Sequence, residues 1–155
     1  MQNETATTLV KFSGYHPAID RWLQHRQLLS AGFSQLVEQT RVRTELPNLS
    51  ATHYWCQELV DYLSEGHFQI FNRTSFDEKS SLSQIHYQNI SDTTPILLKL
   101  EQELCGLKLE ENARYDSLLS ALGETLAYRI EIESLWIEEI IRLTQQEVKN
   151  DTCIN

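Results

Sequence analysis

Residues 111–141 read ENARYDSLLSALGETLAYRIEIESLWIEEII. Apolar side chains fall at Tyr115, Leu118, Leu119, Leu122, Leu126, Ile130, Ile137, Ile140 and Ile141. Steps of three and four keep them on one side of an α-helix. The spacing predicts one long helix over about residues 112–147. Gly123 costs only about 1 kcal/mol relative to alanine in a helix, so it can bend the element without ending it. An amphipathic helix of that length needs other helices to cover its apolar side.

The rest of the chain supplies them. Pro17 suits a first helical turn, where its missing N–H costs nothing. Ile19, Trp22, Leu23, Leu29, Phe33, Leu36 and Val37 then mark a helix running to about Gln39. Pro47 breaks the loop RVRTELPN, and Ser50 is the expected N-cap of a second helix. Trp55, Cys56, Leu59, Leu63 and Ile70 form its inner face. Gly66, on that face, is either a helix end or a point of close approach, and the pattern favours continuation to about Arg73. A short helix is expected around Leu82, Ile85 and Ile90. A further helix is expected from Pro95, capped by Thr93 or Thr94, with Ile96, Leu97, Leu100, Leu104 and Leu107 inward. No segment alternates with a period of two between hairpin turns. The expected fold is all-α: a single-domain antiparallel bundle of four principal helices plus one or two short ones. It spans residues 1–155, with a polar arm at 1–14 and a frayed tail at 149–155.

Composition narrows the function. The chain has 155 residues and a net charge of -9. Residues 101–139 hold ten acids against three bases. Such a surface repels a phosphate backbone, so direct nucleic-acid binding is not expected. A solvated face accounts for the acidity; a basic protein partner is the sharper reading. No apolar run exceeds three residues, so no membrane span is expected, and the N-terminus lacks the pattern of a secretory signal. Cys56, Cys105 and Cys153 are odd in number and widely spaced. That fits reduced cytosolic thiols better than a disulfide framework or a zinc site.

Catalytic motifs are missing. There is no glycine-rich phosphate loop, no GxSxG and no HExxH, and none of the five histidines follows a glutamate by three residues. Neither a metal nor a cofactor is expected, and the chain does not read as an enzyme. A histidine phosphotransfer bundle is the rival class. Its best candidate, His67, lacks the lysine such sites need and lies about 80° from Leu59, where a partly packed histidine is expected. Arg26, Arg129 and Glu133 stand on apolar faces. They are expected to form a charged network inside the bundle, since buried charges must be paired. The alternative is a small-molecule pocket.

Residues 55–71, WCQELVDYLSEGHFQIF, carry the most information about function. With Leu59 at zero, Ser64, Phe68, Asp61 and Tyr54 fall at about 140°, 180°, 200° and 220°, opposite the core. An aromatic there either covers a second packing surface or meets a partner. Spacing alone favours packing against the short third helix.

LVDYLSEGHFQIF at 59–71 resembles the LVDYLSxGHFxIY signature of the Rsd/AlgQ family of primary-sigma-factor-binding regulators. DRWLQHRQLL at 20–29 is similar to that family's DRWLxxRxxLL, and LGETLAYRIEIESLWI at 122–137 to its IGExLExRxxLExxLI. The resemblance covers about residues 16–145; the 1–14 arm matches nothing distinctive, and Asn72 stands where the family often has a carboxylate. It implies a helical anti-sigma regulator whose partner is the primary sigma factor of RNA polymerase, through the C-terminal domain that reads the −35 element. It places the binding motif on Asp61, Ser64 and Phe68, beside Tyr54. The mechanism it implies is occupancy: sigma held here is kept from core polymerase and promoter DNA.

Overall fold

A computed structural model of the chain describes residues 1–2, 16–42, 48–71, 80–108 and 110–153. Four long helices dominate: α1, Pro17–Arg41; α2, Leu49–Glu65; α3, Ser81–Cys105; and α4, Asn112–Thr152. α2 passes into a π-helical turn, Gly66–Phe71. There is no strand among the described residues. Most of the 1–14 arm, the loop around Pro47 and the expected helix end at Arg73 lie outside those residues.

Pro17 opens α1 as expected, and the His16 side chain accepts a hydrogen bond from the Ala18 N–H at 3.1 Å. α2 is capped two residues earlier than Ser50. The Asn48 side chain accepts from the Ala51 N–H at 3.1 Å, and Ser50 lies inside the helix. The two helices expected around Leu82 and after Pro95 are one, α3, with Pro95 inside it. Thr93 and Thr94 are therefore not caps. Their hydroxyls bond to the Ile90 carbonyl at 2.7 and 3.4 Å, and the Arg129 guanidinium, from α4, donates to the same carbonyl at 2.8 Å. Proline removes one ladder bond and crowds the preceding turn. Here that turn is held by side chains, so the helix continues. α4 runs unbroken through Gly123 and on to Thr152, past the point where a frayed tail is expected.

Contacts at the ends fix the helix directions. Early α1 meets late α2 where His25 bonds to Glu65 at 2.9 Å. Early α2 meets late α3 at His53 and the Cys105 carbonyl, 3.1 Å apart. Early α3 meets late α4 where Ser80, the α3 cap, donates to Glu139 at 2.9 Å. Late α1 meets early α4, where the Phe33 ring lies against Gly123. Each neighbouring pair is antiparallel, and the ring closes as an up-down-up-down bundle. Trp22, Leu23, Leu59, Tyr62, Leu97, Leu122, Leu126, Ile130 and Trp136 are fully buried at its centre.

Candidate functional site: an outward stripe over a charged core

Glu133 is the hub of the core. One of its carboxylate oxygens accepts from Arg129 Nε at 2.5 Å; the other accepts from Arg26 Nη1 at 3.4 Å and from the Tyr62 hydroxyl. Arg129 also donates to the Thr93 and Thr94 hydroxyls at 2.9 and 2.8 Å, and Arg26 to the Ile130 carbonyl and the Ser134 hydroxyl, both at 3.3 Å. Arg26, Arg129 and Glu133 are at most 1% exposed. Each guanidinium also lies near an aromatic ring: Arg26 is 5.9 Å from the Trp22 centroid and Arg129 is 5.8 Å from that of Phe71. Burial, reinforced by the nearby Glu133 charge, holds the Tyr62 phenol well above its ordinary range. Tyr62 therefore stays protonated and donates. Arg26, Tyr62, Arg129 and Glu133 are buried and bind one another, so the cluster is a network inside the bundle rather than an open ligand pocket. Sequence reasoning missed Tyr62, although it stands only about 60° from Leu59 on the same wheel.

The network holds α2 from within, and the opposite side of α2 faces out. Tyr54, Gln57, Asp61, Ser64 and Phe68 are all exposed. They repeat at steps of three and four, so they form one stripe along the helix. Phe68 is 64% exposed and Tyr54 70%. The packing that spacing alone favours for Phe68 is therefore not what the chain adopts. Gln57 donates to Asp61 at 3.0 Å, orienting its carboxylate, and the Ser64 hydroxyl bonds back to the Val60 carbonyl at 2.8 Å. His67 is exposed rather than partly packed, and its ring meets Phe68 edge-on at 4.9 Å. Tyr54 also borders a groove of about 430 Å³ between α1 and α2, with Leu28, Gly32 and Trp55 on its walls.

The π turn sets how the stripe ends. On α-helical winding Phe71 would stand about 120° from Leu59, off the core. A π turn rotates less per residue. It brings Ile70 and Phe71 together onto the core face, each 2% exposed, and leaves Phe68 outside. Phe71 packs edge-on against Trp22 and Trp136, with centroids 5.4 and 5.1 Å away. Gly66 makes this possible: a Cβ there would lie 3.2 Å from both the Phe71 ring and the Trp22 indole nitrogen. Its role is close approach.

Fold and surface define the class of protein: a four-helix bundle with a charged core that presents a polar and aromatic stripe on one helix. The family model for "Regulator of RNA polymerase sigma(70) subunit, Rsd/AlgQ" matches residues 1–141, and the chain belongs to that family. The match begins at residue 1, so it includes the arm in which no distinctive motif was legible. Relatives named "Regulator of sigma D" are similar to this chain. That of Pectobacterium carotovorum subsp. carotovorum (strain PC1) is 29% identical over 92% of this chain and 97% of its own length. That of Pectobacterium atrosepticum is 27% identical over 90% and 98%, and that of Sodalis glossinidius 26% over 90% and 98%. No solved structure matches. No helix of the described residues is long and apolar enough to cross a membrane.

Proposed function

We propose that this protein binds the primary sigma factor of RNA polymerase through the sigma C-terminal domain, using the α2 stripe of Tyr54, Asp61, Ser64 and Phe68. Membership of a family of sigma(70) regulators supports the partner. The exposure of Phe68 beside an oriented Asp61 supports the surface. Phe68 is the apolar anchor, and Asp61 pairs with a basic side chain on sigma's DNA-reading domain. Binding needs no chemistry. A sigma domain seated here is sterically withheld from core polymerase and from the −35 element, which places the action in the cytoplasm.

Truncating a central aromatic anchor commonly costs about 2 kcal/mol, roughly a thirtyfold loss of affinity. Calorimetric titration with the primary sigma factor and with its isolated C-terminal domain tests the proposal. Phe68→Ala should weaken both titrations about thirtyfold while leaving the helical circular dichroism and melting temperature near wild type. Wild-type affinity in the Phe68→Ala protein would show that the stripe is not the docking face.

A further inference from the structure

Cys56 is far in the sequence from Glu101 and Cys105 but meets them in the fold. Cys56 lies on the inner face of α2; Glu101 and Cys105 lie one turn apart at the end of α3. Their two sulfurs and a carboxylate oxygen all fall within 4.8 Å of one another. The Cys105 thiol donates to Glu101 Oε1 at 3.3 Å. The Cys56 side is closed, at 1% exposure, whereas Glu101 and Cys105 are half-buried and open the cluster to solvent. His53, one turn before Cys56, bonds to the Cys105 carbonyl and braces the end of α3.

We propose that Cys56, Glu101 and Cys105 form a binding site for a soft divalent cation, Zn²⁺. Zinc takes thiolate at about 2.3 Å and carboxylate at about 2.0–2.2 Å in tetrahedral geometry. Ligand atoms on such a tetrahedron lie roughly 3.5–4 Å apart. With one sulfur–oxygen pair at 3.3 Å and every pair within 4.8 Å, each separation lies within about 1 Å of that arrangement, a difference side-chain torsions supply. Two thiolates select zinc over magnesium, calcium or manganese, which prefer oxygen ligands. On binding, both thiols release their protons to solvent and water fills the fourth position on the Glu101 side. The bound cation ties early α2 to the end of α3. That is the part of α2 carrying Tyr54 and Gln57, so occupancy stiffens one end of the outward stripe. The site does not depend on the identity of the protein that docks there.

Cobalt titration of the full chain, with thiols reduced and oxygen excluded, is the test. One equivalent of Co²⁺ should produce thiolate-to-cobalt charge-transfer absorption, and Zn²⁺ should displace it. Cys105→Ser and Glu101→Gln alter half-buried positions and should keep the fold, as circular dichroism will verify. The first should abolish the charge-transfer band, and the second should weaken binding about tenfold. Cys153→Ser should bind as wild type, because Cys153 is exposed at the C-terminal end of α4. If no band appears at one equivalent, or if folded Cys105→Ser binds cobalt as tightly as wild type, the cluster is only a packed thiol pair and the proposal fails.

Discussion

At the scale of single residues, one carboxylate organises three helices. Glu133 is fully buried and answers two guanidiniums and a phenol. Removing one member of a buried ion pair typically costs about 3–5 kcal/mol, because it strands the other charge. Glu133→Ala strands two. In a domain of this size each kcal/mol lowers the melting temperature by roughly 2–4 °C. Thermal melting of Glu133→Ala should therefore occur about 10 °C or more below wild type, and an unchanged melt would contradict the buried network. Arg26, Arg129 and Glu133 were legible because charges recur on apolar faces at helical spacing. That Tyr62 completes the set was not legible. A tyrosine beside a core stripe reads as an ordinary packed ring until the acceptor on another helix is known. The outward placement of Phe68 was legible from the wheel. Its freedom from the third helix was not, because a helical wheel places a side chain on its own helix and says nothing of where a neighbouring helix lies.

At the scale of elements, the long α4 was readable from spacing alone, whereas α3 was misread as two pieces. Sequence rules treat Thr-Thr-Pro as a stop and start. The stop is overridden by an arginine 34 residues beyond Pro95, whose guanidinium binds the Ile90 carbonyl and both threonine hydroxyls. The π turn was hidden for a similar reason, since it follows from the close fit of Gly66 against Trp22 and Phe71. The join between α3 and α4 yields a pH prediction. Ser80 accepts from the Leu82 and Ser83 N–H groups and donates to Glu139, which also takes two hydrogen bonds from Arg142 at 2.9 and 2.7 Å. The Arg142 hydrogen bonds, opposed by burial and aided by Ser80, hold the Glu139 carboxyl below its ordinary value of 4.5. A depressed carboxylate stabilises the fold fully above its unfolded value and loses that contribution as pH falls through the folded one. The stability of wild type against urea should fall from about pH 5 to about pH 3 more steeply than that of Glu139→Gln. Parallel pH profiles for the two proteins would mean that the contact does not stabilise the fold.

At the scale of the whole molecule, charge decides how a partner arrives, and packing decides how long it stays. The chain carries a net charge of -9, and its acids concentrate in residues 101–139. The proposed partner is a domain that reads DNA and is therefore basic, so in the proposed complex the two surfaces attract before they touch. Such attraction raises association rates above the roughly 10⁵–10⁶ M⁻¹s⁻¹ of neutral encounters. It reaches about 10 Å at 0.1 M salt and about 3 Å at 1 M. In the proposed complex the stripe divides these roles. Asp61 stands exposed on α2 and adds to the field, whereas Phe68 is uncharged and acts only after contact. Stopped-flow association with the sigma C-terminal domain should therefore slow by about tenfold between 0.05 and 0.5 M salt. Dissociation should change much less, because most of the hold is apolar. Asp61→Asn should lower the association rate at low salt and converge on wild type at high salt. Phe68→Ala should leave association nearly unchanged and speed dissociation, since losses at a packed anchor fall mainly on the off-rate. An association rate indifferent to salt would show that the molecule's acidity is a solvated surface with no part in steering. In that case Asp61, if it matters, would act only through the contact it makes once the partner is seated.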